Sequence, residues 1–439
     1  MMNFPRKQIV IIGGGAGGLE LVVRLCRVAK KYSLDVILVD RQLKHLWKPL
    51  LHEVAAGTFN SYQDEIDYIS YAYQHGFQYH YATLEEINHK EKWINIYPCQ
   101  LDGENHVKTT KINYDLLILA TGSQVNDFNI PGVREHCLLL DDLAQAELFH
   151  QVIMQEVIKK NQLHPAQDHK IQINIIGGGA TGAELAAELN FALTHTFKYL
   201  GKGVKSKDDS PFQITVIDSA PRLLSMLPER VSRQATEYLL KNNINIILGT
   251  QINEVTNKGL KTSTQQFIDS SITVWAAGVK ANNYKVKHDL EMNKLYQFCV
   301  NQHLQTTRDP NVFAFGDCAS CPQTDQEGNA YNVPPRAQAA HQQAILLSQS
   351  IPRLLQGKPI LPFIYKDYGS LISLSPHNAV GVIMSRLTQN FFLKGLFARF
   401  TYWSLYKKHL LLIKGTKYVF LSTVIDFLMK KQRPEIKLH

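Results

Sequence analysis

Two groups of residues in this chain have the types and spacing needed to hold phosphates, and each is followed by a single acid. Gly13-x-Gly15-x-x-Gly18 lies ahead of Asp40, and Gly177-x-Gly179-x-x-Gly182 lies ahead of Asp218. In such a pattern the first glycine makes a tight turn, the second lets a pyrophosphate approach the backbone, and the third lets a helix pack closely on a strand. The acid stands where ribose hydroxyls can donate to it. One copy also fits a strand-to-helix corner kept only for packing, but two copies in one chain point to two dinucleotides. The place of the first copy at the head of the chain suggests FAD. At the second, the charge of Asp218 disfavours a 2′-phosphate and so favours NADH over NADPH, with Arg222 leaving that preference open.

Other residues carry possible chemistry. Glu184 follows Gly182 at the start of the second helix, where it is either an acid stabilised by the helix dipole or a carboxylate able to orient or protonate what is reduced. Thr121-Gly122 closes an apolar strand from Tyr114, and Gly278 closes another from Ser271; small residues there let backbone approach a cofactor or make an ordinary turn. Asp317 ends the run Val312-Phe-Ala-Phe-Gly316, a place suited to a flavin's ribityl chain. Gln338 and Gln342 stand at i and i+4 of a helix beginning near Ala337, so both amides point one way, toward a planar acceptor or toward solvent. Cys318 and Cys321 have C-x-x-C spacing with no second pair or His pair to complete a metal site, so no metal is expected; they are read as reduced structural thiols, with a redox pair as the alternative.

The elements that must position these residues are legible as runs. Gln8 to Ile12 and Asp35 to Val39 read as buried parallel strands around a helix from Ala16 to about Ala29; Gln172 to Ile176 and Gln213 to Ile217 repeat the plan around a helix from Thr181 to about Tyr199. Phe77 to Tyr114 reads as a small accessory antiparallel sheet turning at Asp102-Gly103, Leu138 to Lys160 as a helix, and Gly201 to Pro211 as an exposed loop insertion. The fold class is therefore α/β with two Rossmann-like dinucleotide-binding domains. Expected boundaries are 1–125 and 283–385 for the two parts of the FAD domain, 126–282 for the inserted NADH domain, and 386–439 for a C-terminal membrane-binding region.

Composition supports the last division. The net charge is +9, yet the stretch from Arg386 to His439 holds eleven Lys or Arg against two Asp or Glu, leaving 36 of each sign before it. Within that stretch Phe392, Leu396, Phe400, Trp403, Tyr406 and Leu410 recur at three- and four-residue spacing, followed by Gly415 and a second apolar segment from Tyr418 to Met429. Apolar stripes with aromatics and basic flanks describe helices lying in an anionic membrane surface; a dimerisation pair or a nucleic-acid patch fits less well. No run is long enough to span a bilayer, and nothing resembles a signal or transit peptide, so the protein is expected to stay where it is made. Six scattered cysteines suit a reducing compartment.

The chain resembles the type II NADH:quinone oxidoreductases, bacterial branch. The resemblance runs through Gly13-Gly-Gly-Ala-Gly-Gly18, Trp47-Lys-Pro-Leu-Leu-His-Glu53, Ala120-Thr-Gly122, Gly177-Gly-Gly-Ala-Thr-Gly-Ala-Glu184, Trp275-Ala-Ala-Gly278, Phe315-Gly-Asp317 and Ala337-Gln-Ala-Ala-His-Gln342. It is also similar to flavin disulfide reductases in architecture, but where those carry a redox cysteine pair this chain has Lys48, Leu50, Leu51 and His52. The resemblance implies FAD held at Gly13, Gly15, Gly18, Asp40, Lys48, Thr121, Gly122, Asp317 and Ala337, and NADH at Gly177, Gly179, Gly182, Asp218 and Gly278. It implies a membrane quinone, ubiquinone or menaquinone, reduced near Gln338 and Gln342, with Glu184 and then His341 as proton relays and no proton pumping. It further implies a peripheral protein on the cytoplasmic face of the bacterial inner membrane, compatible with a homodimer and without nucleic acid. The rival readings are a flavoenzyme with another acceptor (ferredoxin, sulfide with quinone, or oxygen) and an NADH-sensing flavoprotein acting through a partner.

Overall fold

A computed structural model describes residues 6–60, 65–99, 108–162, 170–201, 209–325, 327–384, 391–429 and 436. The chain divides into two compact units. The first comprises Met1–Trp47, Asp64–Gln124 and Val279–Lys366; the second comprises Lys48–Gln63, Val125–Gly278 and Asp367–His439.

The first unit is built on one sheet. Lys7–Ile12 lies at its centre between Leu34–Asp40 and Leu116–Leu119, all parallel, with Val312–Ala314 parallel beyond Leu116–Leu119. Ile9, Val10, Ile11, Leu117 and Ile118 have no solvent exposure, as expected of strands covered on both faces. The accessory strands do not form a separate sheet as the sequence suggests. Gln78–Asn88 pairs parallel with Leu34–Asp40 and then antiparallel with Trp93–Pro98, which pairs with Thr110–Asn113, so they extend the same sheet at its edge. The turn expected at Asp102-Gly103 lies outside the described residues. The helix Ala16–Tyr32 begins where the glycines end, and the helix Ala337–Leu355 packs along it.

The second unit repeats the plan with a five-stranded parallel sheet in the order Cys137–Leu138, Ile272–Trp275, Ile171–Ile176, Phe212–Ile217, Asn245–Ile247. The helix expected from Leu138 starts later, at Leu143, and runs to Gln162, because Cys137–Leu138 is used as an edge strand and Asp141 and Asp142 turn the chain. Residues 202–208 of the expected loop insertion lie outside the described residues. A second, antiparallel sheet joins Gly369–Ser375, Asn378–Ile383 and Phe391–Lys394.

The tail Gly395–Met429 is helical but interrupted at Gly415, whose φ of 81° and ψ of 170° break it into two arms. The expected apolar stripe divides between two environments. Tyr402, Tyr406 and Leu410 turn inward and are buried, while Leu396, Phe397, Phe400, Phe420, Leu421 and Leu428 stand exposed. Lys407, grouped in the sequence with the basic flank, is buried and ion-paired across the bend to Asp426 at 3.3 Å. No helix among the described residues is long and apolar enough to cross a membrane.

A Cβ on Gly18 would lie 1.9 Å from the carbonyl oxygen of Gly13, a rigid backbone atom. Gly18→Ala is therefore expected to cost about 1–3 kcal/mol, read as a lower denaturant midpoint at unchanged slope.

Candidate active site

Each glycine turn is formed by the strand and helix it joins. Gly13 and Gly177 have φ of 101° and 111°, a region open to glycine and costly for side chains, and each is packed against a neighbouring strand end, Ala120-Thr121 and Ala276-Ala277 respectively. Beyond their own neighbouring residues, the second glycines, Gly15 and Gly179, have no described atom within 4 Å of where a Cβ would stand. The backbone at the start of both helices is thus open to a phosphate group, which is the space a dinucleotide cradle needs. Both acids are built into the turns. Asp40 accepts from the N–H of Gly14 at 2.5 Å and of Gln42 at 2.7 Å, and Asp218 accepts from the N–H of Gly178 and, at 2.7 Å, of Ala220. Burial pushes the pKa of Asp40 up, against the pull of those N–H groups. The donors present fit FAD in the first unit and a nicotinamide dinucleotide in the second. Arg222 donates to the carbonyls of Leu224, Ser225 and Leu227, so its guanidinium is engaged with its own loop.

In the first unit the hydroxyl of Ser123, next to Thr121-Gly122, donates to Asp317 at 2.7 Å, tying the ends of two parallel strands together. Gln343, which the sequence reading passed over, is buried and accepts from the Gly316 N–H at 2.8 Å, fixing the turn that carries Asp317 to the Ala337–Leu355 helix. Gln342 is bound in both directions to the backbone of Lys366, donating to its carbonyl at 2.8 Å and accepting from its N–H at 3.1 Å. His341 lies 2.6 Å from Glu20, which also pairs with Arg24. Gln338 is half-buried on the same helix. Cys318 and Cys321 are buried free thiols; burial pushes Cys318 up and Cys321 up to about 11, which keeps both protonated and suits the structural reading.

The second unit holds a group of charges that the sequence showed only in part. Its helix Ala180–Tyr199 puts Glu184 beyond the first turn and on a buried face, so the dipole reading of Glu184 does not account for it. Around it converge Glu188 one turn on, His52 and Glu53 of the short helix Leu51–Ala56, Ser373 of the strand Gly369–Ser375, and Arg399 of the tail. Glu184 accepts from the Ser373 N–H at 2.9 Å; Arg399 donates to Glu53 at 3.0 Å and to the Ser373 hydroxyl at 2.7 Å; Thr58 donates to Glu188. Burial is the main force on each acid, raising Glu184 to about 8 and Glu188 to about 7, and the charge of Glu53 pushes both further up. Burial also lowers His52 to about 4, so it is neutral. Lys48 lies 3.8 Å from Asp141 in this same unit. The i, i+4 spacing of Glu184 and Glu188 within the apolar run Ala183–Leu189 was the available signal; Arg399 had none, being one basic residue among many in the tail.

The chain is similar to known proteins along its length. The model of pyridine nucleotide-disulphide oxidoreductases matches residues 7–344. A type II NADH:quinone oxidoreductase of Haemophilus influenzae is 37% identical, covering 99% of this chain and 100% of that protein. The chain belongs to the type II NADH:quinone oxidoreductases. A Staphylococcus aureus protein of the same name is 25% identical over 88% of this chain and 92% of its own length. In structure, NDH2 of Plasmodium falciparum, solved with NADH, superposes with a TM-score of 0.81 at 20% identity, covering 99% of this chain and 100% of that one, a likeness of fold. As a family member the protein is a flavoenzyme that oxidises NADH and reduces a quinone, with FAD and NADH as its cofactors.

The raised carboxylates carry a sign for stability. A carboxyl held near 8 in the fold and near its ordinary 4.5 when unfolded stabilises the protein while protonated, and that contribution is lost as pH rises from about 4.5 through about 8. Glu184→Gln, which cannot ionise, is expected to raise Tm by about 2–4 °C over the parent at about pH 9, with the difference shrinking toward about pH 5.

Proposed function

We propose that FAD is held in the first unit by the Gly13, Gly15 and Gly18 turn, Asp40, Thr121-Gly122, Asp317 and the helix start at Ala337, and NADH in the second by the Gly177, Gly179 and Gly182 turn, Asp218 and Gly278. The observation that carries this is the pair of open cradles, each with its acid bonded to the N–H groups of the turn. FAD bound there supplies the two-electron chemistry between NADH and the quinone. Asp218 accepts from ribose hydroxyls and repels a 2′-phosphate, and the engagement of Arg222 with its own loop supports NADH over NADPH. The division into an FAD domain in two parts, an inserted NADH domain and a membrane-binding tail is the organisation this reading uses.

Gln338 presents its amide to a quinone carbonyl, and Gln342 shapes that wall by fixing Lys366. Forming a quinol takes up protons, and Glu184 is a carboxyl whose burial keeps it protonated near neutral pH; His341 with Glu20 is a second group able to hold one. The tail docks the protein on an anionic membrane surface through its exposed Leu396, Phe397, Phe400, Phe420, Leu421 and Leu428. Because NADH is produced in the cytoplasm, the face docked is the cytoplasmic one, and an enzyme lying on the surface moves no protons across it.

Anaerobic reduction by NADH followed by a short-chain quinone, with flavin absorbance monitored, tests the reading. Gln338→Leu is expected to slow reoxidation by quinone about tenfold while leaving reduction by NADH unchanged, the loss of one hydrogen bond. Equal reoxidation would remove Gln338 from the quinone site. Asp218→Ala is expected to raise the NADPH to NADH ratio of kcat/KM about tenfold or more, and an unchanged ratio would mean the acid does not set the preference.

A further inference from the structure

The second unit buries three carboxylates, Glu53, Glu184 and Glu188, around one guanidinium. Arg399 is the cation; its side chain is four-fifths buried, with 20% exposed. The titratable neighbours on every packed element are His52 and Glu53 on Leu51–Ala56, Glu184 and Glu188 on Ala180–Tyr199, and Tyr402 beside Arg399, whose ring lies 5.4 Å from the guanidinium carbon. His52 is neutral and Tyr402 holds its proton, because burial pushes it well above its ordinary range. With every carboxylate ionised the group would carry a surplus of two negative charges out of water, a state that low polarity penalises heavily. Glu184 accepts from the Ser373 N–H and Glu188 from the Thr58 hydroxyl, while Glu188 Oε2 and His52 Nε2 find no hydrogen-bond partner among the described residues.

We infer that Arg399 is a positioning residue for the proton held at Glu184: from the tail it clamps Glu53 directly and Glu184 through Ser373, and so sets which carboxyl of the cluster stays protonated. The chain of contacts is continuous. Arg399 donates to the Ser373 hydroxyl, and the N–H of that same serine donates to Glu184. Ser373 is fully buried, and the strand register slips between it and Ser375, so its N–H is aimed at a side chain. Phe400, next to Arg399, and Phe397, two residues before it, are exposed apolar side chains of the tail. The segment read as a membrane anchor therefore also supplies, among the described residues, the cation of the acidic cluster.

The kinetic part of this inference rests on Glu184 as the proton source for quinol formation; the spectroscopic part does not. Infrared difference titration of the flavin-loaded protein follows the protonated carboxyl stretch, with the Glu184 signal defined as the one lost in Glu184→Gln. In Arg399→Gln that signal is expected to persist about 1–3 pH units higher than in the parent, the scale of losing a nearby opposite charge, and Arg399→Lys should restore most of the original midpoint. Glu53→Gln should move it the other way, to lower pH, and serves if Arg399→Gln does not fold. The alkaline limb of quinone-dependent kcat should move with the spectroscopic midpoint. An unmoved carboxyl midpoint in Arg399→Gln, or in Glu53→Gln, overturns the inference. A midpoint that moves while the kinetic limb stays fixed upholds the clamp and removes Glu184 from the proton path.

Discussion

Taking a carboxylate out of water is the constraint on which the second unit depends. Glu184 and Glu188 lie on the buried face of their helix, among Leu185, Ala187 and Leu189, where a solvated position would have cost nothing. Burying them has two consequences: their pKa values are pushed up, and a cation is brought in from a remote part of the chain. The pairing gains specificity more than stability, since a buried ion pair roughly cancels its own desolvation. What it fixes is the arrangement of Leu51–Ala56, Ala180–Tyr199, Gly369–Ser375 and the tail around one point.

Legibility in the sequence followed the range of the interactions. A glycine turn, its strand and its acid lie within a few dozen residues, and local sterics dictate each of them, so both cradles could be read from spacing alone. The acidic cluster is the opposite case. Glu53 and Arg399 meet across 346 residues, and Ser373 meets Glu184 across 189, and no spacing rule reaches that far. Gln343 was missed for a related reason: next to the Gln338 and Gln342 pair it looked like one more polar residue on a helix face, whereas its burial and its bond to Gly316 appear only once the turn before Asp317 is folded against it. The accessory strands were recognised as antiparallel but not as an extension of the main sheet, because the parallel partner of Gln78–Asn88 is Leu34–Asp40, a pairing invisible in local alternation.

The tail shows how one composition serves two solvents. Basic and aromatic residues at helical spacing suggest a single lipid-facing stripe, yet the break at Gly415 folds the segment so that part of that stripe is spent on the protein. Lys407 is the clearest instance. A lysine buried to 8% exposure would be costly alone, and its pairing with Asp426 both offsets the cost and holds the two arms in register.

Architecture shared with disulfide reductases is put to different use here because of what occupies one short segment. Lys48, Leu50, Leu51 and His52 carry no thiol, and the two closely spaced thiols of the chain, Cys318 and Cys321, are buried and pushed up by that burial. A thiol whose pKa is raised by burial is a poor nucleophile and a poor electron carrier. With that route absent, the chemistry left to the protein side is binding and proton handling. His52 and Glu53 belong to the cluster around Glu184. The short helix Leu51–Ala56 thus brings ionisable groups, not thiols, to the buried acidic cluster of the second unit.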